Sequence, residues 1–363
     1  MAKPFANFYF ILPGMNPRNL FTAISTMLAG VLIIVCLYSY SAFRLSHKSS
    51  FTRLFPAHLL TDFRFTDLQY NSYYFAGSDS QTVYLGNYTA PDKVLAISSD
   101  FLNRHFISLN ISDSIRMNWD RARVITRGNE FYLGEGSSPA MFYCGSATDS
   151  MTKVQMDSLH FDRDWLPLSP ASYVVRTYST PMKQNILVKK TTGSDTVIQS
   201  HGILEKQIDG KFCTDGVLLF DKEQYRLVYI YNYRNQFIVM DTNLHIISKY
   251  RTIDTTTQAK ITLDTIKAES RVTFSSPPLM VNKRACIAVN KLFVNSALTA
   301  DNETPLGKLG TDIDVYNLKD GTYLFSFSVP SFRNEKLLSM AVATDRLYCI
   351  FGKWLVSYRL HIK

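Results

Sequence analysis

From Leu20 to Phe43 the chain runs for 24 residues, LFTAISTMLAGVLIIVCLYSYSAF, without one charged side chain. A helix rises about 1.5 Å per residue, so this run matches a hydrocarbon core of roughly 30 Å. Backbone groups in lipid have no water to bond, which leaves a helix as the expected state. Tyr38 and Tyr40 near one end suit an interfacial belt. Ala23, Ser25, Ala29 and Gly30 are small, but they do not follow GxxxG spacing. A cleaved secretory leader is the competing reading, with Ser39-Tyr40-Ser41 and Ala42 as a cleavage region. The apolar run exceeds the usual leader core of roughly 7–15 residues, which favours an uncleaved anchor.

Membrane lipid is therefore the expected partner of residues 20–43. Lys3 and Arg18 precede the span and Arg44, Lys48 and Arg53 follow it, so flanking charge gives no clear orientation. A first helix commonly serves as a signal-anchor. The expectation is a single-pass protein of the cell membrane, with its large C-terminal domain on the extracytoplasmic (periplasmic) side. The chain then divides into a tail (1–19, with the aromatic patch FANFYFILPG), a transmembrane helix (20–43), a basic juxtamembrane linker (44–58, RLSHKSSFTRLFPAH) and one large domain (59–363).

That domain is rich enough in apolar residues for a packed core, with 46% hydrophobic and 13% aromatic residues over the chain. The formal charge is +9, yet no Lys/Arg block long enough for a nucleic-acid stripe occurs, and no nucleic acid is expected. The five cysteines, Cys36, Cys144, Cys213, Cys286 and Cys349, show no CxxC or Cys/His spacing. Most have apolar neighbours and read as small core residues; one disulfide in an oxidising compartment is the alternative.

From Leu59 onward, short alternating runs rich in Tyr, Phe, Val and Ile are broken by turn residues, the pattern of an all-β fold. YRLVYIY, QFIVMD and LHIISKY give three successive strands between Tyr225 and Tyr250. DIDVYNL and TYLFSFSV flank the Lys319-Asp320-Gly321 turn, and RLYCIF and LVSYRL flank Gly352-Lys353-Trp354. The best helical candidates after the anchor, Phe101–His105 and Asp264–Glu269, are short.

A period decides between sandwich, barrel and propeller. YLGNYTAP begins at Tyr84 and YLGEGSSP at Tyr132, 48 residues later, and a strand follows each. Similar strand pairs begin near Tyr70, Gly128, Ala171, Gly216, Leu279 and Leu337, at intervals of roughly 40–65 residues. The last unit shows three strands, and LLTDFRFTD at 59–67 can supply the fourth and close the ring. The expected fold is a six-bladed β-propeller preceded by one transmembrane helix.

IDVYNLKDGTYLFSF followed by RLYCIFGKWLVSYRL resembles the blade-to-blade pattern of six-bladed propellers in bacterial membrane-anchored and secreted proteins. The resemblance spans roughly residues 59–363 at fold level. It includes neither a WD nor a kelch signature and transfers no functional residue.

Chemistry-bearing groups are few. Asp312 and Asp314 in TDID share a strand face and could pair as carboxylates or metal ligands, although Asp at a strand start is ordinary. His160, Asp162 and Asp164 lie close together beside Trp165 in a loop that could bind a ligand or form a salt-bridged turn. Gly134-Glu135-Gly136-Ser137-Ser138 has neither the spacing nor the following helix of a phosphate loop. No GxSxG elbow occurs. The 21 tyrosines serve strand packing or form sugar- or peptide-binding platforms. Asn87, Asn110 and Asn302 begin acceptor-type tripeptides, which matter only in a eukaryotic source.

No catalytic or metal-binding residue is assigned from the sequence, no cofactor is expected, and the ligand-binding residues are left unassigned. The leading functional expectation is a non-enzymatic module that binds a protein or peptide partner in a membrane-associated assembly. A metal-assisted hydrolase or lactonase, with Ca²⁺ in the central channel, is the alternative; three or more Asp, Asn, Glu or His side chains at one channel mouth would favour it. A glycan receptor is the third reading.

Overall fold

The computed structural model describes residues 17–45, 50–111, 117–138, 140–146, 150–154, 159–161, 164–193, 197–199, 202–266, 271–303 and 310–362. It divides into two units, 1–48 and 49–363. The first contains helix α1 (Pro17–Leu45). Its segment Arg18–Ser39 is long and apolar enough to cross a membrane, with a mean hydropathy of 2.5 and no buried share. The aromatic patch of residues 5–14 lies outside the described residues.

The second unit is a six-bladed β-propeller. The first strand to enter it, β1 (Leu60–Asp67), belongs to the last blade. Blade 1 is β2 (Tyr73–Ser78), β3 (Thr82–Asn87), β4 (Lys93–Ser98) and β5 (Arg104–Ser108). Blade 2 is β6 (Arg123–Arg127), β7 (Glu130–Glu135), β8 (Ala140–Cys144) and β9 (Thr152–Val154). Blade 3 is β10 (Trp165–Ser169), β11 (Ser172–Ser179), β12 (Gln184–Thr191) and β13 (Val197–Gln199). Blade 4 is β14 (Gly216–Asp221), β15 (Arg226–Tyr231), β16 (Gln236–Asp241) and β17 (Ile246–Arg251). A two-stranded hairpin, β18 (Leu263–Ile266) and β19 (Arg271–Phe274), stands outside the blades. Blade 5 is β20 (Asn282–Ala288), β21 (Lys291–Ser296), β22 (Gly310–Asn317) and β23 (Tyr323–Pro330). Blade 6 is β24 (Leu337–Ala343), β25 (Arg346–Phe351) and β26 (Trp354–Leu360), completed by β1.

Each blade is an antiparallel meander. Strand β1 pairs with β26 from Leu60↔Leu360 to Asp67↔Trp354, with an irregularity between Thr61 and Arg64. The closure expected from LLTDFRFTD is therefore present. Apolar side chains between the sheets form the core, as where Phe293, Ile313 and Val315 of blade 5 meet Leu347, Cys349 and Val356 of blade 6.

The repeat predicted from the two Y-L-G triplets falls on β3 and β7, the second strands of blades 1 and 2. Its glycines are sites of close approach. A Cβ on Gly86 would lie 2.3 Å from the Tyr74 ring, and one on Gly134 would lie 2.6 Å from Trp165. With Gly86 beneath it, Tyr74 reaches the next blade, where its hydroxyl accepts the Val124 amide proton at 2.7 Å.

The expected unit starts at Gly128 and Ala171 fall one strand late, in the turns that follow β6 and β10. Pro167 hides β10 from a strand reading. It is tolerated because an innermost strand has one unpaired edge. Of the two short helical candidates, Phe101–His105 forms a turn and the start of β5, and Asp264–Ile266 lies in β18. Residues 267–270 lie outside the described residues.

Within the stretch read as a linker, Phe51 and Arg53 are buried in the propeller. Phe51 packs with Val281, Leu298 and Ala300. Arg53, 2% exposed, donates from Nε to Asp314 Oδ1 at 2.6 Å and from Nη2 to Asp314 Oδ2 at 3.1 Å. Nη1 pairs with Glu303, donates to the Leu298 carbonyl at 3.1 Å, and lies 3.7 Å from Asp312 Oδ2. The Asn302 amide clasps the Arg53 backbone on both sides, at 3.0 and 2.9 Å. Burial alone would lower the pKa of this guanidinium; hydrogen bonds and charge from Asp314 and Glu303 outweigh it, and the net shift is upward.

Removing one partner of a buried ion pair strands the other, at about 3–5 kcal/mol. Arg53→Met in the full chain is expected to lower unfolding stability by about this amount, read from the urea midpoint in detergent. A loss below about 1 kcal/mol is the behaviour of an exposed pair and would show that the socket is solvated.

Candidate ligand-binding site at the channel mouth

The inner strands of the six blades surround a central channel. At one mouth it widens into a cavity of about 510 Å³ lined by residues from all six inner strands and the turns after them. The walls are mostly apolar and include Ile125, Leu166, Phe220, Ile287, Val289 and Val342. Such a volume suits a small ligand or a few peptide side chains. Gly77 lines the same wall, where a Cβ would come within 2.3 Å of Thr126 Oγ1.

Five charged residues also line this mouth: Asp79, Arg127, Asp221, Lys222 and Glu223. Three acids meet the count that would favour an enzyme, but two are already committed to the fold. Asp79 accepts the amide protons of Gln81 and Thr82 at 2.8 and 2.7 Å and the Tyr84 hydroxyl at 2.9 Å. Asp221 accepts the amides of Glu223 and Gln224 at 3.1 and 3.2 Å and pairs with Arg226 at 2.8 Å. Each carboxylate thus closes the turn between the first two strands of its blade. Among the described residues no group of three His, Cys, Asp or Glu side chains is arranged to hold a metal ion.

Arg127 is placed by the β6–β7 turn, where Gly128 takes a φ of 61°. Its Nη1 donates to the carbonyls of Leu168 and Pro167, and its guanidinium stacks on Phe220 at 4.8 Å. Residues of blades 2, 3 and 4 thus converge on one cation.

The inner strands all run in the same direction, so the loops before them lie at the opposite face. A second cavity there, about 620 Å³, is lined by Arg121, His160, Arg176, Lys211, Phe212 and Asp215, among others. Arg176 pairs with Asp164 and, at 2.7 Å, with Asp215. His160 Nδ1 lies 3.1 Å from the Ser137 carbonyl. The His160–Asp164 cluster is thus divided, with Asp164 serving Arg176; Asp162 and Arg163 lie outside the described residues.

Gly134–Ser138 proves to be an anion cradle filled from within. Glu135 accepts the Ser137 amide at 2.6 Å, the Ser137 hydroxyl at 2.5 Å, the Ser138 amide at 2.8 Å and the Asn118 amide at 3.4 Å. Asp312 and Asp314, the other candidate pair, form the Arg53 socket. Of the tyrosines, Tyr73, Tyr229, Tyr231 and Tyr233 are buried, which is packing, while Tyr70 and Tyr225 are more than half exposed. All five cysteines are free thiols. Asn87 and Asn302 are engaged in hydrogen bonds, Asn87 to Thr89 and Asn302 to Arg53.

Sequence reasoning missed three features: Arg53, Arg127 and an aromatic patch on blade 6. In that patch Phe63, Phe65, Phe332 and Trp354 gather with ring centroids 5.2–6.1 Å apart, and Arg333 lies 3.8 Å over Trp354. Only a basic residue before a Gly turn signals Arg127 in the sequence, and nothing local marks its neighbours.

No family model and no curated protein matches the sequence. Solved structures do match its shape. A member of the DUF4221 family from Bacteroides vulgatus aligns with a TM-score of 0.51 at 13% identity, over 84% of this chain and 97% of that one. A streptogramin B lyase gives 0.45 at 10% identity, over 82% and 98%. YCF48 bound to D1 peptide gives 0.46 at 10% identity, over 85% and 100%. At 13% identity the first of these shows a shared fold and nothing further, and the fold is the six-bladed propeller described above.

The Glu135 cradle has a pH signature. Burial raises the pKa of this carboxyl, but hydrogen bonds from the Ser137 hydroxyl and from the three amides outweigh it, and the net shift is downward. A lowered folded pKa gives stability that is present above the unfolded value, about 4.3, and is lost as pH falls through the folded value. Glu135→Gln is expected to cost about 1.5–3 kcal/mol at pH 7. Urea midpoints of the two proteins should draw together as pH falls from about 5 through the folded value. A difference that stays constant over that range would show that the carboxylate charge contributes nothing.

Proposed function

We propose that this chain is a non-enzymatic binding module: a propeller held on the extracytoplasmic side of the cell membrane by α1, which takes a protein or peptide partner at the channel mouth. The observation that carries the reading is the cavity itself. It is open and mostly apolar, and two of its three acids are committed to turns. Apolar walls on a rigid frame suit side chains delivered by a partner, and the short turns at the rim supply specificity. The membrane side rests on the apolar length of α1 and on the tendency of a first helix to act as a signal-anchor.

Ala288 lines the mouth and is half-buried. The full chain and Ala288→Trp, which fills the cavity, are to be purified side by side in mild detergent. A stoichiometric protein is expected with the wild type and is expected to be lost from the variant at unchanged melting temperature. Equal recovery with both would remove the channel mouth as the site. If the wild type comes without a partner and its melting temperature rises with Ca²⁺, the metal-dependent hydrolase reading replaces this one.

A further inference from the structure

We infer that the channel mouth recognises an apolar ligand that carries one carboxylate, with Arg127 as its counter-charge. The inference rests on the binding reading above and specifies the chemistry of the ligand.

Arg127 is half-buried in a mostly apolar wall. Both of its hydrogen bonds leave from Nη1, toward the carbonyls of Pro167 and Leu168. Among the described residues no carboxylate lies within ion-pair distance of it, and Nε and Nη2 donate to no protein acceptor. Arg234 and Arg284 also bond to backbone carbonyls and to no carboxylate among the described residues, but neither lines this cavity, and four other buried or half-buried arginines are ion-paired. Arg53 pairs with Asp314, Arg176 with Asp164 and Asp215, Arg226 with Asp221, and Arg346 with Asp62. Arg127 has its guanidinium fixed from one edge by two carbonyls and from one face by Phe220, while its other edge has no anion.

A planar guanidinium held in this way is pre-organised for a two-pronged bond to a carboxylate. Low-dielectric walls strengthen that bond. Of the acids at the mouth, Asp221 is paired with Arg226; Asp79 and the exposed Glu223 equal Arg127 and the exposed Lys222 in number, but among the described residues neither acid pairs with Arg127. The cavity thus offers apolar contact beside one fixed cation that no carboxylate pairs among the described residues. Its complement is an apolar body ending in one negative charge. A peptide C-terminus with apolar last residues and a small apolar organic acid share that chemistry.

The test compares acids with their neutral counterparts on the full chain in lipid nanodiscs, by calorimetry against empty discs. The probes are N-acetyl-Leu-Leu-Phe as free acid and as C-terminal amide, and octanoate and octanamide. Each acid that binds is expected to do so at least tenfold more tightly than its amide, a comparison that needs no substitution. Arg127→Met is expected to erase this preference while leaving the weaker apolar binding. Arg127→Lys, which keeps the charge, is expected to restore part of it. A preference confined to the tripeptide assigns the site to a peptide C-terminus, and one confined to octanoate assigns it to a free organic acid. Acid and amide binding alike, or an acid preference that survives Arg127→Met, overturns the inference. If no acid binds while Ala288→Trp still releases the protein partner, the carboxylate assignment falls and the module reading stands. If neither occurs, both fall.

Discussion

The propeller depends on one pairing, that of β1 with β26. A blade is an open sheet, and a ring of six is stable only when the last sheet meets the first without leaving a gap between them. Here the closing strand comes from the N-terminal end of the domain and completes the blade made by its C-terminal end. Arg346 adds a side-chain tie across the same blade, with Nη1 bonded to Asp62 Oδ2 at 2.7 Å. The two ends of the domain are therefore the most distant residues in sequence and direct neighbours in space.

Around that closure the blades are joined by apolar packing and by tyrosines whose hydroxyls reach buried backbone. Tyr74 accepts from Val124 in the next blade, and Tyr316 accepts from Ile253 at 3.1 Å. A buried aromatic ring fills volume while its hydroxyl satisfies a polar group that water cannot reach. The Arg53 socket follows the same logic with charge: a segment outside the blade meander is fixed because its guanidinium is gripped by carboxylates inside the protein. Such sites rigidify the frame, which leaves the channel mouth as the place where a mostly apolar surface and a cation without a carboxylate stand open together.

The two faces divide the work differently. At the wide mouth, the turns after the inner strands are short and locked by Asp79 and Asp221. On the opposite face the connection from blade 4 to blade 5 carries the β18–β19 hairpin, and Glu135 fills the turn between β7 and β8. A rim of locked turns presents a cavity of fixed shape, whereas elaborated loops spend their polar groups on one another.

The sequence by itself determined the apolar helix, the all-β domain, the blade count and the strand that closes the ring, because each is written as a local period: a long uncharged run, alternation at two, and a unit repeat near fifty. It also placed Tyr229 and Tyr231 in packed strands. Blade starts were legible only where the inner strand reads as a strand, and Pro167 defeated that in blade 3. Tertiary structure alone decided the roles of the charged residues. Asp312 and Asp314 look like metal ligands until Arg53, some 260 positions earlier, is brought into contact with them. Arg127 looks like any turn residue until Phe220 and the carbonyls of blade 3 surround it. A charge takes its meaning from whatever lies within a few ångströms, and in a closed ring those neighbours come from other blades.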